Sequence, residues 1–254
     1  MEPDLRFAHE LADAADAVTM RRFRALDLRV ESKPDLTPVS EADRAAEEAV
    51  RAAVAASGRG EAVFGEELGG DGEAAARWIV DPIDGTRNYV RGTPVWATLL
   101  ALERDGVVEV AVVSAPALAR RWSAQRGSGA WVNGDPCRVS GIGSVGDAVI
   151  STTSARDMPD GWLRLVEQAW AVRGFGDFWQ HCLVAEGAVD ISTDEVLQLW
   201  DYAAVQLIVE EAGGRCTTFD GSAPTPGASF VSTNGALHEQ AVEALGGPLQ
   251  GQTS

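Results

Sequence analysis

Cysteine is scarce in this chain. The three present, Cys137, Cys182 and Cys216, stand far apart with no C-x-x-C spacing, which excludes a zinc knuckle and a disulfide framework and suits a reducing compartment. Cationic residues are thin as well: 21 Lys and Arg against 38 Asp and Glu leave a formal net charge of −17, the wrong sign for a nucleic-acid backbone or an anionic membrane. No apolar run approaches the roughly 20 residues of a membrane span. The acidic opening Met1-Glu2-Pro3-Asp4 carries no signal-peptide pattern. A cytoplasmic protein is expected, with neither nucleic acid nor membrane as partner. Nor does the chain contain a G-x-x-x-x-G-K-[ST] phosphate loop or a cysteine that begins a Cys-x₅-Arg loop, which removes P-loop and cysteine-phosphatase chemistry.

What is there is an ordinary globular balance, 45% apolar and 23% charged residues, in 254 residues that can bury one large domain or two joined lobes. Leu11, Ala15 and Val18 mark an amphipathic first helix. Pro34 and Pro38 then break it, and a second helix begins at Ser40 with Ala42, Ala46, Ala49 and Ala53 on one face. Trp78-Ile79-Val80 reads as a buried strand. Val95 to Leu102 and Val107 to Val113 form a hairpin, and further strands lie at Arg121 to Gln125 and Ala130 to Val132. Beyond Val149, helices (Trp162 to Ala171, Trp179 to Gly187, Tyr202 to Ala212) alternate with strands (Cys216 to Phe219, Phe230 to Thr233), and a low-complexity tail runs from Gly246 to Ser254. The expectation is an α+β fold in two lobes, residues 1–145 and 146–254.

The chemistry concentrates in Asp81-Pro82-Ile83-Asp84-Gly85-Thr86, directly after the apolar run. Two carboxylates pressed together repel by roughly 4 kcal/mol at 4 Å and an effective dielectric of 20. A hard divalent cation reverses the sign of that term, and oxygen ligands are what Mg²⁺ selects. Gly85 allows close backbone approach, so its amide and that of Thr86 can face a phosphate. A surface turn is the plain alternative, and the position of the motif after a buried strand weighs against it. The spacing of three between Asp81 and Asp84 disfavours a D-x-D aspartyl-phosphate mechanism. Gly141-Ile142-Gly143-Ser144-Val145-Gly146 matches G-x-G-x-x-G but lacks the flanking strand and helix, and reads as a loop. His9, His181 and His238 lie in helix-like segments away from the acidic motifs and are expected to be packing or surface residues.

The run Asp81-Pro82-Ile83-Asp84-Gly85-Thr86-Arg87-Asn88-Tyr89 resembles the signature of the inositol monophosphatase family. Gly65-Glu66-Glu67, Leu199-Trp200-Asp201-Tyr202-Ala203-Ala204, Lys33 and Thr37 to Asp43 follow the family's order. Arg87 and Tyr89 depart from its commonest residues. The resemblance implies a layered α/β/α/β/α sandwich, a Mg²⁺-dependent phosphomonoesterase and a homodimer. It implies that Glu66, Asp81 and the Ile83 carbonyl hold one metal and that Asp81, Asp84 and Asp201 hold a second. Thr86 paired with Asp43 would orient the attacking water, supported by Glu66. Each satellite residue has a local reading too. Asp43 completes a capping box with Ser40, Asp201 is a natural N-cap, and Glu66 beside Glu67 suits a solvated turn.

Within the family the likeness is to the histidinol-phosphatases of actinobacteria, carried by Lys33 to Val39, Val90 to Ala97 and Gly176 to Asp190. That likeness places Asp177 and Asp194 against the organic part of the substrate, where acids favour a cationic amine over a neutral polyol. Surface acids remain the alternative for both. An inositol-1-phosphatase or broader sugar- and nucleotide-phosphate phosphatase is the second enzyme reading, and a catalytically silent metal-binding partner protein a third.

Overall fold

In the computed structural model, residues 2–34, 37–70, 74–156 and 158–246 are described. Asp35, Leu36 and the tail beyond Gly246 lie outside them. Among the described residues the chain opens with α1 (Pro3–Arg22), crosses a small antiparallel pair, β1 (Val30–Ser32) and β2 (Pro38–Ser40), and enters α2 (Glu41–Ser57). A seven-stranded sheet follows in sequence order: β3 (Ala62–Gly65), β4 (Ala76–Asp84), β5 (Ala97–Arg104), β6 (Val107–Ala115), β7 (Arg120–Gln125), β8 (Gly129–Val132) and β9 (Asp135–Pro136). The short helix α3 (Thr86–Val90) leaves the end of β4. The rest alternates: β10 (Val149–Thr152), α4 (Asp160–Gln168), β11 (Ala171–Arg173), α5 (Asp177–Ala185), β12 (Ile191–Leu197), α6 (Leu199–Glu211), β13 (Arg215–Thr217), β14 (Ala228–Thr233) and α7 (His238–Gly246). Its strands form a mixed sheet in the order β11-β10-β12-β14-β13.

Strand alternation builds the layers. Trp78, Val80, Leu100, Leu102, Val110 and Val112 point from the large sheet to α1 and α2, where they pack on Leu5, Leu11, Ala46 and Val50. Their neighbours Ile79, Leu99, Ala101, Ala111 and Val113 point the other way, onto α5 and α6, which also cover Phe230 of the small sheet. The far face of the small sheet, with Ile150, Ile191 and Val231, packs on Trp162 and Leu165 of α4 and Ala241 and Leu245 of α7. The result is the α/β/α/β/α sandwich expected above. Each fully buried large side chain contributes about 1.5–3 kcal/mol. No helix of the described residues is long and apolar enough to cross a membrane.

Several sequence readings shift: β4 runs on past Val80 to Asp84, and β13 ends at Thr217 rather than Phe219. The buried stripe of α2 is Ala42, Ala46, Val50 and Val54, with Asp43 and Glu47 also buried on it, so Ala49 and Ala53 sit at its margin. The alanines obscured the stripe because they suit either face of a helix. The helix expected over Trp162 to Ala171 stops at Gln168, because Ala171 already begins β11 beside β10.

Candidate active site

In a regular strand, residues three apart point to opposite faces, so Asp81 and Asp84 could not meet. The pairing of β4 with β5 solves this. Asp81 sits opposite Leu99 and Asp84 opposite Ala97, three steps on one strand against two on the other. The extra residue is a bulge that returns both carboxylates to one side. Pro82 tolerates the bulge because it has no N–H to lose, and its carbonyl accepts the Thr98 hydroxyl at 2.8 Å. Asp201, from α6, completes the group: ligand oxygens of Asp81, Asp84 and Asp201 all lie within 4.8 Å of one another.

Asp201 is not the N-cap read from the sequence. Its helix begins two residues earlier at Leu199, and Asp201 occupies the third position, where its Oδ2 accepts the Gln198 backbone N–H at 2.7 Å. The cap uses one oxygen. Asp43 divides its two. Oδ2 takes the Ser40 N–H at 2.8 Å and the Ser40 hydroxyl at 2.6 Å, while Oδ1 lies 3.1 Å from the Thr86 hydroxyl. At Asp43 the cap thus leaves one oxygen for Thr86, and at Asp201 it leaves the carboxylate within the acid cluster. Thr86 Oγ1 is also 2.9 Å from the Ile83 carbonyl, so its single proton chooses between two acceptors.

Gly85 has a φ of +81°, and a Cβ there would meet the Val95 carbonyl at 3.0 Å and Asp177 Oδ2 at 3.3 Å. Glycine is required for both reasons. It turns the chain out of β4 into α3, whose first amides have no partner within the helix.

Glu66 lies on the same cleft, on the turn after β3. Lys33 Nζ reaches Glu66 at 2.7 Å and Glu67 at 2.6 Å. The turn is shaped by two residues that the sequence reading missed. Glu47, with a fully buried side chain, accepts the Glu67 and Leu68 amides at 2.8 and 3.3 Å and pairs with Arg51 at 2.7 Å. A Cβ on Gly65 would lie 2.1 Å from Glu47 Oε1, so only glycine admits the buried carboxylate.

Among the described residues, a cleft of about 680 Å³ is lined by five carboxylates, Glu66, Asp81, Asp84, Asp177 and Asp201, and two cationic groups, Lys33 and Arg87. Burial, then the carboxylate of Glu66, pushes Asp81 well above the ordinary carboxylate range. Asp84 is raised by the protein packed around it and then by Asp177 and Asp201, and burial brings Asp201 up to about 7. For Lys33 burial acts downward, but Glu66 and Glu67 outweigh it and hold the ammonium above its usual value. An all-oxygen cluster whose anions destabilise one another fits a hard divalent cation.

The protonation of this cluster yields an expected result. With folded pKa values above the unfolded value of about 3.9, the carboxylates favour folding when protonated and oppose it as they ionise. Stability of the metal-free protein should therefore be highest at acid pH and fall as pH rises toward and through 7. Thermal melts in EDTA should lose at least about 4 °C between about pH 5 and pH 8, and the gain on adding Mg²⁺ should be larger at the higher pH. A flat or rising metal-free melting temperature across that interval contradicts the mutual repulsion.

Asp177 and Asp194 occupy neighbouring walls. Asp177 begins α5 and lines the main cleft; Asn88 Nδ2 donates to its Oδ2 at 2.8 Å. Burial, and then the Asp194 carboxylate, pushes Asp177 up to about 6, with Arg87 acting downward. Asp194, only 7% exposed, lines an adjoining cavity of about 220 Å³ with Asp84, Asp177 and Asp201. His181 lines that cavity too, which corrects its reading as a residue remote from the acidic motifs. The miss has a simple cause: Asp194 meets His181 only through the packing of β12 on α5. His238 is buried against Thr217 and Thr233, and His9 lies on α1, away from the cluster.

The sequence model described as the inositol monophosphatase family matches residues 1–247. A histidinol-phosphatase of Mycobacterium tuberculosis is 49% identical over 95% of this chain and 97% of its own length. A histidinol-phosphatase of Streptomyces coelicolor is 47% identical over 93% and 94%. Among solved structures, an IMPase/NADP phosphatase complexed with Mg²⁺ and phosphate superposes with a TM-score of 0.87 at 25% identity, over 97% of this chain and 95% of that one.

Proposed function

We propose that this chain, which belongs to the inositol monophosphatase family, is a Mg²⁺-dependent histidinol-phosphatase that hydrolyses L-histidinol phosphate to L-histidinol and phosphate. The near-full-length identity to two histidinol-phosphatases supports the substrate, and the acid cluster supports the chemistry. In this reading Glu66, Asp81 and the Ile83 carbonyl hold one Mg²⁺, and Asp81, Asp84 and Asp201 a second. Bound there, the metal supplies positive charge that acidifies water and offsets the charge of the phosphate. Residues 1–145 carry most of these ligands, and residues 146–254 supply Asp201 and the contacts to the organic part. The homodimer implied by the family belongs to the same proposal.

The remaining work falls to the protein's own groups. Asp43 Oδ1 accepts the Thr86 hydroxyl proton, which frees the lone pairs of Thr86 Oγ1 to accept a hydrogen bond from the attacking water. Glu66, beside them on the cleft, supports the same water. The amides of Gly85 and Thr86 face the phosphate oxygens. This intact Thr86–Asp43 contact speaks for turnover over silent metal binding. At the other end Asp177 and Asp194 meet the substrate's ammonium. Among the described residues neither has a Lys or Arg within ion-pair distance, so their charge is available to a ligand.

The alcohol half decides specificity, since histidinol phosphate and inositol-1-phosphate offer the same phosphate. A charge-assisted hydrogen bond to one carboxylate is worth roughly 1.5–3 kcal/mol, or on the order of ten- to a hundredfold in kcat/KM. Wild-type protein should prefer histidinol phosphate by that margin, and Asp177→Asn should erode the preference. Equal efficiency on the two esters removes the histidinol assignment and leaves a general phosphatase.

A further inference from the structure

We propose that His181 is a positioning residue for substrate selection, holding the Asp194 carboxylate by one oxygen so that the other is left for the substrate's ammonium group. The inference deepens the reading above and rests on it.

His181 lies one turn beyond Asp177 on α5 and is 1% exposed. Its Nε2 is 2.9 Å from Asp194 Oδ2, and its Nδ1 is 2.8 Å from the hydroxyl of Ser232, which is fully buried on β14. A neutral ring with its proton on Nε2 satisfies both contacts: Nε2–H donates to Asp194, and the Ser232 hydroxyl donates to Nδ1. Phe230, two residues before Ser232, packs edge-on against the ring at 5.1 Å and 82°. The ring is thus held in plane and in tautomer by one strand while it grips its neighbour.

Gln180 Nε2 donates to the same Asp194 oxygen at 2.6 Å, and the Ser151 hydroxyl donates to Gln180 Oε1 at 2.9 Å. Both donors to Asp194 fall on Oδ2. Among the described residues no donor bonds to Oδ1. Neither donor is an Arg or Lys, whose permanent charge would cancel that of the carboxylate. Asp194 needs such an anchor. The register of β12 against β14 shifts between Asp194 and Leu197, so regular strand pairing stops holding the backbone where the carboxylate must be aimed.

The test compares wild type, His181→Phe, His181→Gln and Ser232→Ala with Mg²⁺ present. The measured quantity is the ratio of kcat/KM for histidinol phosphate to that for p-nitrophenyl phosphate, in which losses common to both esters cancel. His181→Phe keeps the ring and removes the donor, and should lower the ratio at least about tenfold, through KM for histidinol phosphate. His181→Gln retains a donor at the position of Nε2 and should recover most of it. Ser232→Ala, which frees the ring without emptying the site, should give an intermediate fall, and carries the test should His181→Phe fail to fold. A ratio that His181→Phe leaves at the wild-type value, or that the Gln variant lowers equally, overturns the inference while the histidinol assignment stands. Wild-type protein with no preference for histidinol phosphate over inositol-1-phosphate removes both.

Discussion

Asp84→Asn should lower kcat at least about a thousandfold while the protein remains folded. The amide is nearly isosteric and its oxygen can still accept the Phe178 N–H that Asp84 Oδ2 takes at 2.7 Å, so the anchor between β4 and α5 survives. What is lost is one negative charge in a cluster of three. A bound divalent cation contributes several kcal/mol of charge stabilisation, and a loss of about 4 kcal/mol corresponds to about a thousandfold at 1.36 kcal/mol per decade. Stability should move the other way: with Asp177 and Asp201 pressing on Asp84, neutralising it should leave the metal-free melting temperature unchanged or raise it. Steady-state kcat with histidinol phosphate and a thermal melt in EDTA check the two halves. A near-normal kcat would show that Asp84 is only a turn residue.

Removal of divalent metal should abolish turnover, and Mg²⁺ should restore it. Among the described residues, five carboxylates face two cationic side chains in the cleft, and one of the two, Lys33, is already engaged by Glu66 and Glu67. A phosphate dianion entering that field is repelled by each carboxylate that stays ionised, at a cost of roughly 4 kcal/mol per pair of unit charges at 4 Å and an effective dielectric of 20. The side chains alone cannot compensate, so the loss on dialysis against EDTA should exceed about a thousandfold. Sodium or potassium should not rescue it, because a monovalent ion supplies half the charge. Full activity in thoroughly stripped protein would exclude the two-metal reaction.

Of these arguments, the acid motif needed no coordinates. Asp81 to Thr86 after Trp78-Ile79-Val80 announced a strand ending in a site, because an apolar run that terminates in paired carboxylates has no packing explanation. Local chemistry also accounts for two hairpin turns: Asp105-Gly106 and Asn133-Gly134 adopt the paired positive φ angles that such dipeptides favour. His181 was not legible, since nothing local distinguishes a histidine that packs from one that positions a carboxylate 13 residues away. Glu47 was hidden for a related reason. A glutamate in an alanine-rich helix reads as solvated, and its burial becomes visible only once Gly65 and Arg51 close around it.

The sequence by itself determined which residue types could hold a hard cation and which segments are strands or helices, because composition, periodicity and turn chemistry act over a few residues; the layered fold followed from the family likeness. Only the tertiary structure decided that Asp81 and Asp84 share a side, that Asp43 divides its oxygens between a helix cap and Thr86 while Asp201 caps α6 from within the acid cluster, and that Asp194 is gripped from beneath. Those facts depend on a one-residue bulge and on contacts between segments dozens of residues apart. Such geometry arises where sheets and helices pack, and no local pattern encodes it.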